Sequence, residues 1–192
     1  MKKNSKGFTL VELMVSLLIF AIVVAAAAGF MVAGSKSFGS VNDALNLQMQ
    51  SQLAANHITE YIIDSNAGIS FDNANRTLYI INENPPATPP AKPTYTAHVF
   101  KYADGKICYG TGAATYSKET QSWTIAAKAE PKDLLVENVT AFSISLKETE
   151  QGKGVTSAEL SIKLEKRGKI QTTNRTIALR NCPPMVKIGS IG

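Results

Sequence analysis

The stretch KGFTLVELMVSLLIFAIVVAAAA, from Lys6 to Ala28, decides the fold of this 192-residue chain. No charged residue occurs from Leu13 to Met31, and these 19 residues would span roughly 28 Å as an α-helix, close to the hydrocarbon thickness of a bilayer. The sequence therefore predicts a membrane-spanning helix. Glu12 needs its own explanation, because an isolated carboxylate in such a helix costs up to ~3 kcal/mol near the centre and tends to be functional.

Basic residues are concentrated on the N-terminal side of the apolar run. Lys2, Lys3 and Lys6 precede it with no acid among them, and Lys36 is the next basic residue after it. Because basic flanks stay in the cytoplasm, we expect a cytoplasmic N-terminus and a C-terminal part that crosses the membrane. The chain has 20 basic side chains, and without these three lysines 17 remain against 15 acidic ones. The net charge of the chain beyond the first seven residues is then +2, which gives no clear nucleic-acid site.

Three interpretations compete for the first 35 residues. A cleaved secretory signal peptide would use a small-residue site such as AAAAG at 25–29, but the apolar run exceeds the usual ~7–15 residues. The region beyond would then be a secreted enzyme. A plain signal anchor fits the length and would carry a single-pass, membrane-anchored extracellular binding domain that does not polymerise. Neither interpretation accounts for Glu12.

The third interpretation uses the motif GFTLVE, from Gly7 to Glu12, which follows a short basic leader and precedes about 20 apolar residues. This pattern closely resembles the class III signal of type IV prepilins and pseudopilins, strongly over the first 35 residues and in outline beyond them. The resemblance implies that a prepilin peptidase cuts between Gly7 and Phe8 and methylates the new Phe8 amine. It also implies that Glu12 pairs with the N-terminal amine of an adjacent subunit and sets register during assembly.

The chemistry of these residues agrees with that cleavage and that role. Gly7 offers a peptidase an unhindered, extended backbone, because it has no Cβ. Phe8 and Glu12 are four residues apart, so the new amine and the carboxylate share one helix face. Glu12 is therefore predicted to be a docking charge, and the alternative is an interfacial glutamate that the membrane tolerates.

Helical patterning continues beyond the membrane, and the fold class predicted is α+β, a type IV pilin fold. No proline interrupts residues 8–66, which we predict to be one long helix whose transmembrane or filament-core part is about 8–34; residues 1–7 are the cleaved leader. Its second half is expected to pack on an antiparallel β domain, residues 67–192. The stripe that would face this domain is Ala44, Leu47, Ser51, Ala54, Ile58 and Tyr61.

Alternation of apolar and polar residues predicts seven strands in this domain. They are residues 77–82, 97–102, 106–110, 123–127, 139–146, 158–165 and 170–179. Hairpin turns are predicted at 103–106 and 166–169, where glycine supplies a positive φ, and the second turn closes the basic segment KLEKRGK. The segment 84–93 holds five prolines and is predicted to be an exposed loop.

The remaining residues give no sign of catalysis. His57 falls in the long helix and His98 in a strand, with no sequence reason for them to meet, and no catalytic, phosphate-binding or metal motif is present. We therefore expect no enzyme activity, no cofactor and no metal. Cys108 and Cys182 are predicted to form a disulfide that fastens the C-terminal end to the middle of the domain, the alternative being two free thiols.

The sequence thus predicts a structural subunit of a type IV pilus or a type II secretion-like pseudopilus, more in keeping with a minor subunit, J-type minor pseudopilin-like, than with the major one. Its expected partners are other pilin or pseudopilin subunits, the prepilin peptidase, the inner-membrane assembly platform and, before assembly, the lipid bilayer. The expected location is the bacterial cytoplasmic membrane, then a surface pilus or a pseudopilus.

Overall fold

The structure is a computed structural model that describes residues 9–86, 92–150, 152 and 154–191. Within these described residues there is one α-helix, α1, which runs from Leu10 to Asp64 and has 55 residues. The chain forms two compact units, residues 1–43 and 44–192, so that α1 contributes to both. The predicted Gly7 and Phe8 positions, and residues 87–91 of the proline-rich segment, lie outside the described residues.

In the described part of the second unit, ten strands and a short 3-10 helix follow α1, and they confirm the α+β class. The bounds are β1 Gly68–Asp72, β2 Thr77–Asn84, β3 Thr94–Ala103, β4 Lys106–Ser117, β5 Ser122–Ile125, the 3-10 helix Ala127–Ala129, β6 Asp133–Glu137, β7 Val139–Glu148, β8 Val155–Lys166, β9 Lys169–Ala178 and β10 Ile188–Ile191. All seven predicted strands are present, most of them longer than predicted, and β1, β6 and β10 were not predicted.

The strands form two sheets. The larger has seven strands in the order β1-β2-β3-β4-β5-β10, with β6 also paired to β4, and the smaller has the order β7-β8-β9. Every strand pair within these sheets is antiparallel except β10 with β5, which is parallel. The predicted antiparallel domain is thus confirmed, with this one parallel pair as a difference. Both predicted hairpin turns are also confirmed, since Asp104, Gly105, Arg167 and Gly168 all have φ between 49° and 74°.

The main core lies between the second part of α1 and the sheets. One face of residues 44–64 is buried, through Leu47, Ser51, Ala54, Ala55, Ile58 and Ile62. These side chains pack with residues of both sheets, among them Leu78, Phe100, Ile107, Leu160 and Ile162. Burial of this stripe holds the helix on the domain, because apolar area removed from water stabilises by about 25 cal/mol per Å². The predicted stripe is therefore correct, except that Ala44 is exposed.

The two cysteines are not bonded to each other, so the structure does not contain the predicted disulfide. Both thiols are free. Cys108 lies within β4, flanked in register by Lys101 of β3 and Leu134 of β6, whereas Cys182 follows β9 and its carbonyl oxygen approaches Gly154 at the start of β8. The prediction placed Cys182 as a tether to the middle of the domain, but the chain positions it against the smaller sheet.

Candidate functional site

The described part of the N-terminal site begins at Thr9, the residue immediately before α1. The Thr9 backbone N–H donates a hydrogen bond of 3.0 Å to Glu12 Oε2, and the Thr9 hydroxyl donates one of 2.9 Å to the same oxygen. In return the Glu12 N–H lies 3.3 Å from the Thr9 hydroxyl oxygen, which accepts its hydrogen bond. This reciprocal arrangement is a capping box, in which two N–H groups that a helix start leaves without partners are satisfied.

Glu12 therefore has a local structural role in addition to its predicted docking role. Its negative charge lies in the first turn of α1, where the positive end of the helix dipole favours an anion. The side chain is exposed, so a partner from another molecule can reach it. The sequence analysis missed the cap, although the spacing Thr-x-x-Glu before an apolar run is its signature.

Ser16 is the only hydroxyl residue in the charge-free run, and its hydroxyl group has a hydrogen-bond partner within the helix. The Ser16 hydroxyl donates a hydrogen bond of 2.7 Å to the Glu12 carbonyl oxygen, one turn earlier. A hydroxyl with this partner needs no water, which removes most of the cost of placing it in an apolar environment.

The first part of α1 exposes a continuous apolar surface. Large side chains from Leu10 to Val32 are all exposed, reaching 80% at Phe30. The helix is long and apolar enough, by its length and composition, to cross a membrane. Apolar surface on this scale must be covered by lipid or by other proteins, since single soluble proteins rarely expose patches beyond a few hundred Å².

The second part of α1 carries a narrower apolar row, which we call the outer row. Leu45, Met49 and Leu53 are spaced four residues apart, so they lie along one helix face, and they are 58%, 58% and 61% exposed. The opposite face packs on the sheets, as described above. Residues 44–64 therefore carry apolar side chains on both sides of the helix, buried on the side that faces the sheets and exposed on the other.

The two histidines lie in the same group of aromatic rings, although nothing in the sequence indicates that they are close. His57 of α1 and His98 of β3 both pack against Tyr61 and Tyr109, within one group of aromatic rings. Antiparallel pairing of β3 with β4 places His98 and Tyr109 on the same side of the sheet, beneath α1. Among the described residues, no group of three or more His, Cys, Asp or Glu side chains could hold a metal ion.

Comparison with known proteins identifies the N-terminal region. Residues 2–28 match the family model described as the prokaryotic N-terminal methylation motif. Comparison with curated proteins and with solved structures gives no match. The matched region contains the basic leader, Gly7, Phe8, Glu12 and most of the exposed apolar helix. The chain therefore carries the class III N-terminal signal of a type IV prepilin-like protein.

Proposed function

We propose that this protein is a structural subunit of a type IV pilus or a type II secretion-like pseudopilus, processed after Gly7 and assembled through α1. The observation that carries the proposal is the match of residues 2–28 to the methylation motif, directly before a helix whose apolar side chains are exposed. The motif supplies the processing signal, and the exposed helix supplies the surface that a neighbouring subunit would cover.

Processing fits the order of these elements along the chain. Cleavage between Gly7 and Phe8 removes the three leader lysines on the cytoplasmic side and leaves the apolar helix in the bilayer. The processed subunit then remains in the membrane until it is assembled. Transfer into a filament exchanges lipid contacts for helix contacts, and because lipid tails are as apolar as leucine, the gain is in packing rather than in the hydrophobic effect.

Glu12 is proposed to select the position of each incoming subunit. In a dry bundle of helices, an unpaired ammonium or carboxylate costs several kcal/mol, whereas a pair of opposite charges relieves that cost. The new Phe8 amine of one subunit and Glu12 of its neighbour form such a pair in only one register. The exposure of Glu12 and its fixed place in the first helical turn support this role.

A minor rather than a major subunit is the finer proposal. The chain adds a proline-rich segment and a second, three-stranded sheet to the helix and the main sheet, and such additions would vary the outer surface of a filament. The partners proposed are other pilin or pseudopilin subunits, the prepilin peptidase and the inner-membrane assembly platform. The location proposed is the cytoplasmic membrane with the N-terminus inside, and afterwards the filament.

The experiment that tests assembly uses the native host. Filaments are sheared from cells, or the pseudopilus fraction is isolated, and the protein is detected there and in the membrane. A subunit is expected in both fractions, whereas a membrane-anchored binding domain would remain in the membrane. Deletion of the assembly ATPase provides the control, because it should remove the protein from the filament fraction and leave the membrane pool intact.

A further inference from the structure

The only two histidines of the chain lie in one aromatic cluster between α1 and the larger sheet. The ring centroid of His57 is 5.1 Å from that of Tyr61 and 5.4 Å from that of Tyr109, and Tyr61 lies 4.3 Å from His98. Phe100 also belongs to the group, and its ring centroid lies 5.8 Å from that of Tyr61. We call His57, Tyr61, His98, Phe100 and Tyr109 the histidine–tyrosine cluster.

A chain of hydrogen bonds crosses this cluster from the sheet to the helix. His98 Nδ1 lies 2.8 Å from the Tyr109 hydroxyl oxygen, and the Tyr109 hydroxyl donates to the Tyr61 hydroxyl over 3.3 Å. Tyr109 has one hydroxyl proton, so when it donates to Tyr61 the bond to His98 needs an Nδ1–H donor. A neutral His98 in this state has Nε2 free to accept a proton, and protonation there places a full charge among aromatic rings.

The surroundings of His98 oppose that charge. Burial, and then the positive charge that His57 can carry, lower the pKa of the His98 imidazole. Burial, followed by the hydrogen bond to Tyr61, raises the pKa of Tyr109, so its hydroxyl stays neutral and cannot compensate an imidazolium. Asp133 of β6 acts in the same direction on Tyr109.

The residues that pair with His98 in the sheet are uncharged. In register it lies beside Ile80 of β2 and Thr111 of β4, and Phe100 is the next residue on the same side of β3. The ionisable groups that act on Tyr109 are Tyr61 from α1 and Asp133 from β6. Histidine is the side chain whose ordinary pKa lies between about pH 5 and pH 8.

We propose that the histidine–tyrosine cluster is an acid-sensitive latch, which fastens residues 44–64 of α1 to the larger sheet at neutral pH and weakens as the pH falls. His98 is neutral when the latch is closed. Acidification places a positive charge on the His98 ring, which lies on the sheet and packs against Tyr61 of the helix, so the charge is introduced into the contact that joins the two elements.

Proton linkage gives the direction in which the stability of the folded protein changes with pH. His98 has a lower pKa in the folded protein than in the unfolded chain, so unfolding takes up a proton below about pH 6.5, the ordinary histidine value. Stability is therefore complete above that pH and declines as the pH falls towards the folded pKa. One proton taken up on unfolding raises the unfolding equilibrium constant by at most about tenfold per pH unit.

The test uses the full-length chain in detergent micelles. Urea unfolding is followed by the fluorescence of Trp123, the only tryptophan, at about pH 7.5 and about pH 5.5, a window in which histidine is the main side chain to titrate. The urea midpoint should be lower at the acidic pH. The variant His57→Gln with His98→Gln has no histidine and should lose most of this difference, whereas the control Asp133→Asn should keep it.

The latch proposal would be overturned if the wild type had the same urea midpoint at both pH values. It would also be overturned if the variant without histidine kept the full wild-type difference between the two midpoints. If that variant does not fold, the two imidazole resonances of the wild type decide the question by NMR. His98 must then titrate below the ordinary histidine pKa, and titration at or above that value overturns the proposal. The proposal does not depend on filament assembly, because every measurement is made on the isolated chain.

Discussion

Two substitutions at the start of α1 separate the cap from the docking charge. Glu12→Gln removes the charge but keeps an oxygen that can accept from Thr9, because capping boxes use Glu or Gln. Thr9→Ala keeps the charge and the bond from the Thr9 backbone N–H, but it removes the hydroxyl that caps the Glu12 N–H. If Glu12 acts as a docking charge, the first variant should assemble poorly and the second should assemble nearly as well as the wild type.

The magnitudes differ enough to be measured. Loss of an N-cap costs about 1 kcal/mol of helix stability, which frays one turn and reduces assembly by at most about tenfold. A buried amine without its carboxylate costs about 3–5 kcal/mol, which is a reduction of more than about 100-fold. The two variants are therefore expected to differ by at least an order of magnitude in their ratio of filament to membrane protein.

The assay compares sheared filaments with membranes by quantitative immunoblotting, in cells that express each variant at the wild-type level. Glu12→Ala removes both functions and should match Glu12→Gln, with processed protein accumulating in the membrane. Leader cleavage should be intact in all three variants, since the leader and Gly7 are unchanged. If Glu12→Gln enters filaments at the wild-type ratio while Thr9→Ala does not, Glu12 is a cap and the docking role is wrong.

Three further predictions concern processing and the fold. Gly7→Val should block leader removal because a β-branched side chain crowds the scissile bond, and a membrane form that keeps the leader mass would show it. Ser51→Ala should destabilise the protein by about 1–3 kcal/mol, because it breaks a buried 2.8 Å hydrogen bond and leaves the Thr173 hydroxyl without that partner; adding Thr173→Val should recover part of the loss in urea unfolding. Gly110→Ala should cost about 1–3 kcal/mol or more, since its methyl group would lie 2.5 Å from the Ala129 carbonyl oxygen; an unchanged urea midpoint would contradict this contact.

The features that were predicted correctly depend on local signals in the sequence. The helix is specified by its apolar run and by the absence of proline, and the buried stripe from Leu47 to Ile62 follows from three- and four-residue spacing. The hairpin turns depend on single dipeptides, such as Asp104–Gly105, whose positive φ angles fix the turn type. Each of these features is determined within a few residues, so that no knowledge of the tertiary structure is needed.

Two of the three strands that were not predicted, β6 and β10, lack an alternating pattern of their own. β6, DLLVE, has three consecutive apolar residues between acids, and it becomes a strand by pairing with β4. β10, IGSI, contains a glycine and pairs in parallel with β5, more than 60 residues earlier in the chain. Pairing between distant segments decides both strands, and it has no local signature.

The same contrast between local and long-range signals applies to the candidate site. The motif from Gly7 to Glu12 is contiguous, so the sequence alone reveals it. The capping box between Thr9 and Glu12 could have been predicted from the same residues. The contact of His57 with Tyr109 depends on how α1 rotates over the sheet, and the positions of Cys108 and Cys182 depend on which sheet receives the chain after β9. These are consequences of packing, which one sequence alone does not specify.

The central claim is that the chain is a prepilin-like precursor, and the mass of its mature N-terminal peptide tests this most directly. Protein purified from membranes of its native host is digested, and the N-terminal peptide is identified by mass spectrometry. The account predicts a peptide that begins at N-methylated Phe8, lost when the prepilin peptidase gene is deleted. A peptide that begins at Met1, or one that begins near residues 28–35, would contradict it.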